Sequence, residues 1–150
     1  MNLTEAYKLI KHFEGYSDIA YVDPGTGGLP ITIGYGSTFK MNGEPFKIGD
    51  VISFKDANTL LEWQIDKMAN IVTGLVVPIV LNDNQLSALT SFAYNCGIGN
   101  LKASTLLKKV KANPFDESIR DEFKKWNKAN KRIMTGLTRR RLSEADLYFT

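Results

Sequence analysis

Leu3, Ala6, Tyr7, Ile10 and Phe13 recur at spacings of three and four, which predicts a short amphipathic helix. Gly15 follows, and glycine adopts the left-handed conformation that ends helices, so the helix is expected to stop there. Between residues 16 and 53 the pattern changes. That segment holds seven of the twelve glycines, three of the five prolines and short β-branched runs such as Ile31-Thr32-Ile33. A small sheet of hairpins with tight turns is the expectation. From Ser53 the apolar positions return to helical spacing. Ser53 and Asp56 read as a capping box, and Ala57, Leu60, Leu61, Met68, Ile71 and Val72 form the predicted buried stripe of a long helix. Pro78 interrupts it, because proline cannot continue a helix ladder. Asn82 and Gln85 are placed to cap a second helix carrying Leu86, Leu89, Phe92, Ala93 and Cys96 and closed by Gly97. Shorter helices are expected around 104–112, 115–129 and 138–149, and no internal repeat is visible. The prediction is one α+β domain over 1–150. It has a β lobe over 16–53, a larger helical lobe from 1–15 and 54–150, and a cleft between the lobes.

Composition narrows the chemistry. A chain of 150 residues suits one hydrophobic core. Cys96 is the only cysteine and His12 the only histidine, so an internal disulfide is excluded and a Cys/His zinc site lacks ligands. Any nucleophile paired with histidine would depend on His12, which points hydrolytic chemistry towards carboxylates, with no cofactor expected. The longest apolar stretch, Ile71 to Leu81, is broken by Thr73, Gly74 and Pro78, against the ~20 residues a spanning helix needs. The N-terminal segment lacks the apolar centre of a signal peptide, so synthesis in the cytoplasm without export is expected. Charge is uneven. Residues 1–100 hold 6 Lys/Arg and 10 Asp/Glu, whereas residues 101–150 hold 13 and 6. That basic segment reads either as a solvated helical surface or as attraction to a polyanion.

Glu14 is the first candidate for chemistry. It falls in the last turn of the first helix, where the helix dipole disfavours a negative charge. An acid there, beside Phe13 and Tyr16, suits a proton donor kept neutral. Asp23 follows within Tyr21-Val22-Asp23-Pro24-Gly25, a sequence that also forms turns in its own right. A protonated and an ionised carboxylate flanking one cleft are what glycosidic cleavage needs. In Ile31-Thr32-Ile33-Gly34-Tyr35-Gly36, alternation puts the isoleucines on one face and Thr32 on the other, where a hydroxyl can orient water. Gly34 and Gly36 permit close backbone approach but do not have the spacing of a phosphate-binding loop.

Phe13-Glu14-Gly15, Tyr21-Val22-Asp23 and Thr32-Ile33-Gly34-Tyr35-Gly36, in this order, resemble the signature of the phage-type lysozymes, the family 24 glycoside hydrolases. The likeness extends through Gln85-Leu86-Ser87-Ala88-Leu89, Phe92-Ala93-Tyr94-Asn95-Cys96-Gly97, Ser104-Thr105-Leu106, Phe123-Lys124-Lys125-Trp126 and Gly136-Leu137-Thr138-Arg139-Arg140-Arg141. It implies a lysozyme-like fold and endolysin activity, hydrolysis of the β-1,4 bond between N-acetylmuramic acid and N-acetylglucosamine. By the same resemblance Glu14 is the general acid. Asp23 and Thr32 activate water in an inverting reaction, and Tyr94 and Thr105 line the sugar cleft. The implied partner is peptidoglycan, with anionic envelope polymers besides. No nucleic acid, no stable membrane insertion, a monomer and release through a holin-type lesion complete the expectation.

Two departures stand out. The eight residues between Asp23 and Thr32 exceed the family's usual interval, so Gly27-Gly28-Leu29-Pro30 is read as a longer hairpin tip, with Thr26 as a rival for the role of Thr32. Ser37 occupies the position where many relatives carry histidine, so a pairing made by that histidine must be weakened or replaced. A lytic transglycosylase and a non-catalytic basic domain binding wall or nucleic acid are the competing functions. His12 is expected on the surface, Cys96 buried and inert, and Trp63 and Trp126 in packing roles.

Overall fold

The computed structural model describes residues 1–24 and 27–150. Helix α1 (Thr4–Glu14) buries Ala6 and Ile10, with Leu3 just ahead of it, and the chain leaves the helix through Gly15 at φ 67°. Strand β1 (Ser17–Val22) pairs antiparallel with β2 (Ile31–Gly34), setting Tyr21 opposite Thr32 and Val22 opposite Ile31. Bridges Ile19–Val51, Ile33–Ser37 and Phe39–Pro45 tie in the segment that follows. Ala20, Ile33, Phe46 and Leu60 form a buried cluster with Ile31 and Ile52 packed on it. Both isoleucines of β2 therefore face apolar neighbours, and alternation turns Thr32 the other way.

Helix α2 (Phe54–Val76) starts at Ser53, whose Oγ accepts the Asp56 N–H at 3.0 Å. Ala57, Leu60, Leu61 and Val72 are buried as the spacing predicts, and so are Ile65, Ala69 and Val76. Ile71 is a correction, being 40% exposed. The buried positions after Leu61 advance by four, four, three and four residues, and Ile71 lies about 100° from Val72 around the axis. Helix α3 (Asp83–Cys96) opens on a complete capping box. Asn82 Oδ1 accepts the Gln85 N–H at 2.8 Å, Gln85 Oε1 accepts that of Asn82 at 3.0 Å, and Gly97 at φ 91° closes the helix.

The C-terminal part holds α4 (Ile98–Ala103), α5 (Thr105–Ala112), α6 (Ile119–Lys124), the hairpin of β3 (Lys128–Ala129) and β4 (Arg132–Ile133), and α7 (Thr135–Tyr148). The helix expected over 115–129 is thus corrected to a short α6 and a hairpin. Asn130 and Lys131 take φ of 50° and 63° in its two-residue turn. Helix α4 was not foreseen, and α7 begins three residues ahead of the expected 138. An ionic cluster joins α3 to α7. Arg141 Nε meets Glu144 Oε2 at 2.7 Å, Arg140 Nε meets Glu144 Oε1 at 3.3 Å, and Ser91 Oγ donates to Glu144 Oε1 at 2.7 Å. All four residues are buried, and the Arg141 guanidinium stacks 5.0 Å over the Phe92 ring.

The chain forms two compact units, Met1–Leu9 with Ile65–Thr150, and Ile10–Gln64. Among the described residues no helix is long and apolar enough to cross a membrane. The fold is lysozyme-like, helical with small antiparallel sheets.

Candidate active site

Glu14, Asp23 and Thr32 all belong to the unit Ile10–Gln64. Glu14 ends α1, the last turn of which also carries Lys11 and His12. Its carboxylate lies against backbone. A methyl group on Gly36 would stand 2.8 Å from Glu14 Oε2, and Gly36 holds φ 84°. Glycine suits the left-handed backbone there, and a Cβ in its place would displace the carboxylate oxygen. Aromatic rings crowd the same region. Tyr35 is buried with its ring centroid 5.3 Å from that of Tyr16, Lys11 Nζ lies 5.6 Å over Tyr35, and Tyr16 meets Phe54 at 5.5 Å.

Asp23 follows β1 directly and is half-buried, and its carbonyl accepts the Gly27 N–H at 2.8 Å. Thr32 is 8% exposed, and its hydroxyl makes a long 3.5 Å bond to the Pro30 carbonyl. The rival Thr26 lies outside the described residues. Tyr21 links the three. It stands opposite Thr32 in the sheet, and its phenol is raised above the ordinary tyrosine range by burial first, then by the charges of Glu14 and Asp23. The phenol therefore stays protonated in the field of both carboxylates. Sequence reasoning passed over Tyr21. The signal was period two, since Tyr21 and Asp23 alternate on the same side of an extended chain.

Ser37, the residue standing in for histidine, is 2% exposed and donates its hydroxyl to Gln64 Oε1 on α2 at 2.8 Å.

Tyr94 and Thr105 lie in the other unit, Tyr94 half-buried on α3 and Thr105 exposed as the first residue of α5. Neither lines the recess of about 490 Å³ in that unit, which is walled by Asn95, Asn100, Lys125, Trp126 and Lys128. Trp126 packs edge-on to Phe92 at 5.4 Å, while Trp63 is 38% exposed. His12 is exposed, with its ring edge-on to Phe13 at 4.8 Å. Cys96 is half-buried 2.7 Å from Arg141 Nη1, and burial pushes its thiol up despite that guanidinium, which keeps it in the unreactive protonated form. Among the described residues no group of three or more His, Cys, Asp or Glu is placed to hold a metal ion.

A family model described as phage lysozyme matches residues 11–144. The endolysin of Bacillus phage B103 is 38% identical over 151 residues, covering 100% of this chain. The chain spans about half of that relative, 55% of its length. Among solved structures, the endolysin from Escherichia coli O157:H7 phage FAHEc1 superposes with a TM-score of 0.84 at 30% identity, covering 99% of this chain and 93% of that one. The muramidase domain of SpmX from Asticaccaulis excentricus gives 0.82 at 30% identity, covering 98% and 96%.

Proposed function

Because the chain belongs to the phage lysozyme family, we propose that it is a peptidoglycan-cleaving glycoside hydrolase acting on the β-1,4 bond after N-acetylmuramic acid. The likeness to a domain named a muramidase supports that bond. The observation carrying the reading is that one compact unit holds Glu14 at the end of α1 with its carboxylate against Gly36, Asp23 just after β1, and Thr32 on β2 opposite Tyr21. In this scheme Glu14 protonates the leaving oxygen, and Asp23 with Thr32 directs water to the opposite face of the sugar. A site that must hold that water needs its carboxyls about 6.5–9.5 Å apart, against about 5–5.5 Å when a carboxylate attacks directly. Inversion follows, and the first-formed product is the α-anomer. Relatives are named endolysins, which supports host lysis as the role; release through a holin-type lesion is part of the same proposal.

Purified peptidoglycan digested to soluble fragments tests this directly. Hydrolysis gives reducing ends, and NMR in early turnover shows them as α-anomers. A first-formed β-anomer contradicts the water-mediated scheme, and anhydro products lighter by one water identify a lytic transglycosylase instead.

A further inference from the structure

Beyond Gly34 the backbone turns back at once. Ile33 and Ser37 exchange both N–H···O bonds at 2.9 Å, and Gly34 and Gly36 supply the left-handed conformations between them. This turn is fastened to α2 at two points. A methyl at Gly34 would touch Ala57 Cβ at 3.4 Å, so the backbone lies directly on that residue. Seven residues further along the same helix face, Gln64 accepts the Ser37 hydroxyl at 2.8 Å. Ser37 is 2% exposed, so water does not compete for the bond. Between the two fastenings stands Gly36, with Glu14 Oε2 2.8 Å from where a Cβ would be.

We propose that Ser37 is a positioning residue for Glu14: its bond to Gln64 fixes the turn, and Gly36 in that turn fixes the carboxylate. Ser37 itself need touch neither Glu14 nor substrate. The inference rests on the reading of Glu14 as the general acid. A catalytic group must be held closely, since a misplacement of about 1 Å can cost ~10²-fold in rate.

The test measures kcat and KM separately on soluble, uncrosslinked peptidoglycan strands, well below the unfolding temperature of every variant. Ser37→Ala lowers kcat about tenfold and leaves KM within about twofold. Ser37→Thr, which keeps the hydroxyl, recovers most of the loss, and Gln64→Glu, which keeps an acceptor, retains kcat. Gln64→Leu lowers kcat by the same factor as Ser37→Ala, and the double variant falls no further because both break one bond. A wild-type kcat in Ser37→Ala with only a lower Tm overturns the proposal, as do losses that multiply in the double variant. Glu14→Gln measured alongside separates two failures. If it is inactive while Ser37→Ala turns over normally, the positioning role alone falls. If it is active, the reading of Glu14 falls and the positioning role falls with it.

Discussion

At the scale of single residues the site turns on how closely backbone and carboxylate approach. Gly36 and Gly43 share nearly the same left-handed backbone, at φ 84° and 88°, but only Gly36 has Glu14 in the space of a side chain, while nothing lies within 4 Å at Gly43. A pair of alanine variants therefore separates strain from displacement. Both Gly36→Ala and Gly43→Ala should lose roughly 1–2 kcal/mol of stability to the backbone, read by denaturant unfolding. Only Gly36→Ala should also lose lytic activity, by about tenfold or more, because the carboxylate must move. Equal activities in the two variants would remove Gly36 from the site. The place of Glu14 at the end of α1 was legible in the sequence from the apolar spacing and Gly15. Its contact with Gly36 was not, since residues 14 and 36 meet only through the β1–β2 pairing and the turn at 33–37.

Elements were legible where caps and spacing agree. Helices α1 and α3 end at Gly15 and Gly97, and α3 starts at the Asn82–Gln85 box. The region after α5 misled because Phe115, Ile119, Phe123 and Trp126 keep helical spacing, although Phe115 is 73% exposed and belongs to no stripe. Helix α6 ends at Lys124, and the chain goes on into the hairpin whose turn Asn130 and Lys131 make with φ > 0. Packing of α3 on α7 rests on a buried charge cluster that no periodicity reveals. Glu144→Gln leaves Arg140 and Arg141 poorly compensated, and an equilibrium unfolding experiment should show a loss of about 3–5 kcal/mol. On α6, Glu122 takes ion pairs from Lys125 at 2.8 Å and Lys109 at 3.0 Å, and the Lys125 bond first of all holds its carboxyl below the ordinary range. A depressed folded value means stability that is present above the usual glutamate range and lost as pH falls through the lower one. Glu122→Gln should flatten the acid limb of the stability curve, and an unchanged limb would show that Glu122 contributes nothing to it.

For the whole molecule, the uneven charge of the sequence survives folding only in part. Arg140 and Arg141 are withdrawn into the core with Glu144, while Lys102, Lys108, Lys111, Lys128, Lys131, Arg132 and Arg139 remain exposed. Lysis of cells should therefore fall as salt rises, with cleavage of a short neutral oligosaccharide barely affected. Equal salt dependence on both substrates would discard electrostatic attraction to the wall. The α+β class was readable from the order of helix, glycine-rich hairpins and helical body, and the lysozyme-like fold was implied by the resemblance to the phage-type lysozymes. Tyr21 and the Ser37–Gln64 bond were hidden, because each joins segments that only the folded chain brings together. The central claim is that Glu14 delivers the proton, and release of soluble fragments from purified peptidoglycan by Glu14→Gln tests it most directly. A glutamine keeps the shape but has no proton to give, so the variant should fold like the parent by circular dichroism and lose about 10²–10⁴-fold in rate. A folded Glu14→Gln protein that releases fragments at the parent rate would contradict the assignment.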